Sequence, residues 1–289
     1  MRFVSFFAEK QASFGIVRPD GVFDLGARFG SSIPDLKTYM HIAAFGLGGS
    51  LPKAAVTDYA TGEFQYAPVI PNPEKILCVG LNYEEHRKET GRPKDAYPTI
   101  FTRFRDTLVG HETAIRLPSV STALDYEGEL AVVIGKPGFR VPAEHAMSIV
   151  AGYSSFNDAT LRDWQQHTHQ FIPGKNFPGT GGFGPDLVTA DELPLDRLPG
   201  CKIETRLNGA VMQSAVLGDM IFSVAKLIAY VSGFTRLVPG DVIAMGTPGG
   251  VGFKRDPQVF MAVGDVVEVT IAGVGVLRNS IAPEQKDQT

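Results

Sequence analysis

Glu127 and Glu129 stand two residues apart at the head of the apolar run Leu130-Ala131-Val132-Val133-Ile134, and an Asn157-Asp158 pair follows further along the chain. Residues two apart on a strand point to the same side, so the two glutamates share a face. The run after them has no polar alternation, which predicts burial on both faces, and carboxylates in that setting need a cation or a proton. With Asp158 as a third ligand, such an all-oxygen set suits Mg²⁺ or Mn²⁺. Solvated acids on an edge strand are the plainer reading of the same pattern.

Three further groups carry chemistry. Beyond the apolar strand Ile76-Leu77-Cys78-Val79 comes Asn82-Tyr83-Glu84-Glu85-His86-Arg87-Lys88-Glu89. A helix begun near Asn82 sets His86 and Glu89 three apart on one face, where the carboxylate can hold an imidazole tautomer and make a general base. Arg162 and Gln165 follow Asp158 by four and seven positions. A helix starting at Asp158 would project all three to one side, placing a cation and an amide beside the bound ion, which suits a chelating carboxylate substrate. Gly246-Thr247-Pro248-Gly249-Gly250 follows a strand at 242–244 and offers amides and the Thr247 hydroxyl to an anionic group.

Other signals fail their context. Gly179, Gly181 and Gly184 satisfy GxGxxG, but no strand precedes them and Pro185 stands where a helix should start. Lys175 lacks the following Ser or Thr of a phosphate loop, so this stretch reads as a mobile loop carrying one lysine. His167 and His169 alternate in a polar loop, where a zinc site is the lesser reading beside solvated histidines.

The elements that position these groups are those of a β-rich chain. The sequence has 289 residues, 20% charged and 44% hydrophobic, with a net charge of -4. That balance excludes a typical nucleic-acid binder and a polybasic membrane anchor, while a local cluster can still select anions. The two cysteines, Cys78 and Cys201, form no CxxC pair, and no signal-peptide or membrane-spanning run stands out, so a reduced, cytoplasmic setting is expected. Residues 1–68 read as a small N-terminal domain with strands at 1–8 and 15–23 and a helix at 33–45. The proline-rich stretch 67–73 marks the boundary. Residues 69–289 carry many short strands, at 75–79, 129–134, 149–156, 203–207, 242–244 and 266–271, with one clear helix at 223–233. The fold class is α+β rather than a regular βαβ array.

In their order along residues 69–282, these groups resemble the fumarylacetoacetate hydrolase superfamily: Asn82-Tyr83 with His86 and Glu89, Asp125-Tyr126-Glu127-Gly128-Glu129-Leu130, and Asn157-Asp158 with Arg162-Asp163 and Gln165. Lys175, Asn208-Gly209 with Gln213, and Gly246-Thr247-Pro248-Gly249-Gly250-Val251-Gly252 complete the set. The resemblance implies a mixed β-roll behind a small N-terminal domain, a homodimer, and Mg²⁺ or Mn²⁺ on Glu127, Glu129 and Asp158. It also implies action on 2-oxo or 2,4-dioxo acids. The expected reaction is hydrolysis of an acylpyruvate such as fumarylpyruvate or maleylpyruvate, as in aromatic-compound breakdown, with His86, oriented by Glu89, activating water. Lys175 would stabilise developing negative charge. Arg162, Gln165 and Thr247 would hold the pyruvyl end, with Gln213 a further contact. Relatives commonly carry a Phe-x-Lys-Pro element where this chain has Phe101-Thr102-Arg103-Phe104-Arg105, so Arg103 or Arg105 is expected to recognise a second carboxylate. Isomerisation or decarboxylation of a related 2-oxo acid is the alternative, since each of these reactions passes through an enolate. A metal-stabilised binding protein without turnover is the rival from another class.

Overall fold

The computed structural model describes residues 1–46, 56–93 and 96–285. Its centre is the strand Gly128–Ile134, buried along its whole length. Leu130, Val132 and Ile134 enter one apolar core with Leu227, Ile228 and Val231, while Ala131 and Val133 enter a second with Phe101, Phe156 and Phe183. A strand with side chains in both cores reads as an unbroken apolar run, as its sequence does.

This strand lies inside a twelve-stranded sheet, flanked antiparallel by Val150–Asn157 and Val242–Ala244. Ile76–Gly80 joins parallel to Val242–Ala244, and Thr99–Arg103 closes that edge. On the other side Val150–Asn157 pairs with Gly181–Thr189, and that strand pairs in turn with Arg2–Ala8, with Arg2 opposite Val188. The N-terminal strands therefore continue the sheet that carries Glu129, across the proline-rich stretch. The segment 15–23, expected as one strand, is a hairpin of Gln11–Arg18 and Gly21–Asp24 turning at Pro19-Asp20. A helix, Leu36–Ala44, follows, with Asp35 capping it by accepting the Thr38 amide at 2.7 Å.

A second sheet of five strands is ordered Ala210–Val216, Lys202–Leu207, Val266–Ile271, Gly275–Pro283 and Ile115–Leu117. It packs against the first where Glu127 and Glu129 stand, which explains the glycine between them. A Cβ on Gly128 would run into the Thr205 hydroxyl. The helix Val224–Phe234, started by Ser223, covers the first core. No helix among the described residues is long and apolar enough to cross a membrane.

Candidate active site

Register brings the acids together. Gly128 pairs with Asn157, so Glu127 lies opposite Asp158, and the Asp158 amide donates to the Glu127 carbonyl at 2.8 Å. The Asn157 side chain accepts the Glu127 amide at 3.0 Å, fixing the same corner. Glu127, Glu129 and Asp158 are all buried, with one carboxylate oxygen from each within 4.8 Å of the others.

Cations surround this triad incompletely. The Lys175 ammonium donates to Glu127 Oε2 at 2.7 Å and Asp158 Oδ2 at 2.5 Å. Arg162 Nη1 meets Glu127 Oε1 at 2.6 Å, and its Nε meets Asp125 Oδ2 at 2.8 Å. Arg103 Nη1 donates to Asp158 Oδ1 at 2.6 Å. Glu129 accepts the Gly246 amide at 2.8 Å but has no ion pair among the described residues. Burial, reinforced by Asp158 and Glu127, pushes the Glu129 carboxyl well above its ordinary range. Burial also raises Glu127, but Lys175 and Arg162 outweigh it and hold that carboxyl at about 2. The donor set fits a hard divalent cation: three buried carboxylates converge, and one of them lacks the positive partner its neighbours have. Cys78 and Cys201 are free thiols and lie outside this donor set.

A cavity of about 520 Å³ opens above the triad. His86 lines it from the short helix Glu84–Glu89. Its Nδ1 lies 2.7 Å from Glu89 Oε1, and Glu89 Oε2 accepts the Gly250 amide at 2.9 Å, so the carboxylate that orients the ring is itself anchored. The helix starts after Tyr83, one turn on from Leu81, whose φ of 59° lies in the left-handed region. Asn82 holds that turn by donating to the Met245 carbonyl at 2.7 Å and accepting the Phe222 amide at 2.8 Å. Such backbone strain at a turn next to a reactive group is sustained by the contacts around it.

Arg162, Gln165, Lys175 and Thr247 also line the cavity. Arg162 Nη1 donates to Gln165 Oε1 at 3.0 Å, while its Nη2 has no partner among the described residues and is left to donate to a ligand. These residues do not sit on a helix begun at Asp158. Asp158 directly follows the strand Val150–Asn157, Thr160–Leu161 pairs with Leu124–Asp125, and the helix is Arg162–Gln165. The strand pairing across Asp125 takes the residues that would have formed the first helical turn. Nor is Lys175 on a mobile loop: it ends the helix Ile172–Lys175 and is wholly buried, its ammonium 5.1 Å from the Phe101 ring centre.

Three residues expected as substrate contacts, Arg103, Arg105 and Gln213, stand outside the cavity lining. Arg103 is buried behind Asp158, its other donors directed to Ala159, Thr107 and Thr180 rather than to the cavity. The first residue of Gly181–Thr189 makes room for it, since a Cβ on Gly181 would stand 3.0 Å from the guanidinium. Arg105 lines a separate recess with Lys37 and Glu74. Gln213 is buried outside the cavity wall. It accepts the Gly128 amide at 3.0 Å and donates to Thr247 Oγ1 and the Pro248 carbonyl, both at 2.8 Å, tying the glycine-rich turn to the acids. Sequence reasoning gave no role to Asp125, which receives Arg162 and the amides of Gly252 and Phe253, nor to the cavity residues Arg92, Phe253 and Lys254. An acid beginning the Asp125-Tyr126-Glu127 motif was the available signal for Asp125; Arg92 lies past the end of a helix, and Phe253 and Lys254 lie on the single 3-10 turn Gly252–Lys254, too short to show periodicity.

The fumarylacetoacetate (FAA) hydrolase C-terminal family model matches residues 75–282. Among proteins of known name, an oxaloacetate tautomerase of human mitochondria is 41% identical over 80% of this chain and 71% of its own length. An oxaloacetate tautomerase of Bacillus subtilis is 42% identical over 77% of this chain and 75% of its own. Among solved structures, the fumarylacetoacetate hydrolase of Exiguobacterium antarcticum aligns at a TM-score of 0.84 with 31% identity, covering 98% of this chain and all (100%) of that one.

Proposed function

The chain belongs to the fumarylacetoacetate hydrolase family, and from that premise we propose that it is a divalent-metal-dependent enzyme moving a proton between C3 and the 2-oxo oxygen of a 2-oxo acid, as in keto–enol tautomerisation of oxaloacetate. The observation that carries the reading is one cavity with His86, held by Glu89, on its wall and with Glu127 and Glu129 of the three-carboxylate cluster on its floor.

Glu127, Glu129 and Asp158 would hold Mg²⁺ or Mn²⁺, which supplies a Lewis acid for the paired carboxylate and keto oxygens of such a substrate. Arg162 Nη2, without a partner among the described residues, binds the substrate carboxylate, and Gln165 holds that guanidinium at its angle. Lys175 helps keep Glu127 ionised and donates to Asp158; burial lowers its own proton affinity, but Asp158 and Glu127 reverse this and keep it charged. Glu89 holds the Nδ1 proton of His86, leaving Nε2 to take the C3 proton and deliver it to the 2-oxo oxygen, or the reverse. The Thr247 hydroxyl donates to the Gly128 carbonyl at 3.0 Å and shapes the floor beside Glu129.

The hydrolytic expectation uses the same dyad on water, so the arrangement of His86 and Glu89 serves both reactions. Similarity to two oxaloacetate tautomerases supports the proton-transfer reading, while similarity in fold to a fumarylacetoacetate hydrolase supports hydrolysis as the second. Ultraviolet decay of enol-oxaloacetate, followed with Mg²⁺ or Mn²⁺ and with EDTA while pyruvate is assayed, separates them. Metal-dependent decay without matching pyruvate is expected. Pyruvate from an acylpyruvate, with no effect on enol-oxaloacetate, would replace tautomerisation with hydrolysis, and pyruvate from oxaloacetate itself would mean decarboxylation.

A further inference from the structure

The cavity has a polarity that the triad and dyad do not use. Its acids, Glu127 and Glu129, are confined to the floor, and no other carboxylate lines it among the described residues. The outer wall is basic, with Arg92 just beyond the His86 helix, Lys254 beside the Phe253 ring, and His167 and His169 between them in sequence. Arg92 and Lys254 are exposed, and neither forms an ion pair among the described residues. Each is nonetheless placed. Arg87 Nη1 donates to the Arg92 carbonyl at 2.6 Å, and Lys254 Nζ stands 4.6 Å from the Phe253 ring centre, a ring that the Arg162 guanidinium also faces.

A ligand whose 2-oxo acid end meets Arg162 and the floor directs its other end toward this rim. We propose that Arg92 and Lys254 determine specificity by receiving a second carboxylate at that far end, so that the preferred substrate is a 2-oxo dicarboxylate. The inference rests on the reading of the floor as a 2-oxo acid site. It replaces Arg103, which is spent on Asp158, with two cations from segments that reach the cavity. Two cations at the mouth, without ion pairs among the described residues, favour a dianion over a monoanion of equal length and leave binding at the floor unaffected.

The test is calorimetric titration of the Mn²⁺-loaded protein with two pairs of equal length, 2-oxoglutarate against 2-oxovalerate and oxaloacetate against 2-oxobutyrate, with oxalate as a chelator too short to reach the rim. The wild type should prefer the dicarboxylate about tenfold or more at one length at least. R92Q/K254Q should lose most of that preference while binding oxalate as before, and R92K/K254R should keep it. Equal affinity within both pairs for the wild type, or a preference retained in R92Q/K254Q, would overturn the proposal. Failure of oxalate to bind would instead remove the 2-oxo acid reading on which it rests.

Discussion

Arg103 Nη1 and Asp158 Oδ1 stand 2.6 Å apart with neither side chain reaching solvent. The pair crosses from the edge strand Thr99–Arg103 to the end of Val150–Asn157, so one guanidinium fixes the carboxylate that completes the triad. Breaking a buried pair by removing one partner leaves an uncompensated charge and costs about 3–5 kcal/mol. R103Q should therefore show a loss of that order in denaturant unfolding and weaker Mn²⁺ binding, with its choice between di- and monocarboxylates unchanged. A variant of normal stability that had lost only its dicarboxylate preference would return Arg103 to the substrate.

Glu129 makes the opposite prediction. Its folded carboxyl titrates above the ordinary 4.5 because of burial, then Asp158 and Glu127. A group raised in the folded state contributes stability fully below its unfolded value, and that contribution is lost as pH rises through the folded one. E129Q, neutral throughout, should thus be more stable than the wild type in EDTA at about pH 8, with the gap closing near about pH 4. Glu127, held at about 2, behaves in the reverse sense: its contribution is present above 4.5 and lost as pH falls toward 2. Mn²⁺ should raise the melting temperature of the wild type and leave E129Q unmoved. Scanning calorimetry at the two pH values, with and without metal, checks this; a Mn²⁺ shift retained in E129Q would remove Glu129 from the ligands.

For the dyad, H86N should lower the turnover rate about 10²–10⁴-fold, the usual contribution of a positioned acid–base group, without weakening Mn²⁺ binding. E89Q acts one step back, through the ring it orients, and should cost about 10–100-fold, with a changed pH profile because the tautomer of His86 is no longer fixed. Turnover in H86N equal to the wild type would remove His86 from the proton transfer.

What the sequence disclosed follows from the range over which each contact acts. Glu127 and Glu129 were legible through strand alternation and His86 with Glu89 through helical spacing, both local rules. The burial of Gly128–Ile134 was legible too, since a run without polar alternation has no solvent face. Arg103 was not. Nothing in Phe101-Thr102-Arg103 signals which distant carboxylate an arginine will meet, and Asp158 is brought to it only by the order of five strands in the sheet. The same applies to the pairing of Arg2 with Val188, which joins the N-terminal strands to the main sheet, and to Lys175, whose glycine-rich surroundings concealed a buried ammonium.

Lys175 supplies the last prediction, because it stands where a divalent ion would also act. Its ammonium holds Glu127 and Asp158, and with Arg162 and Arg103 it sets three cations against Asp125, Glu127, Glu129 and Asp158. K175M removes one of those charges without a large change in volume and leaves two buried carboxylates short of a donor. In EDTA it should lose about 3–5 kcal/mol, as for other broken buried pairs. A divalent ion offers the missing charge to the same two carboxylates, so Mn²⁺ should raise the unfolding midpoint of K175M by more than it raises that of the wild type. Activity should stay low even with metal, since the ion restores charge and leaves the ammonium donor at Asp158 absent. Equal Mn²⁺ shifts in the two proteins would mean that the ion and Lys175 do not share the triad.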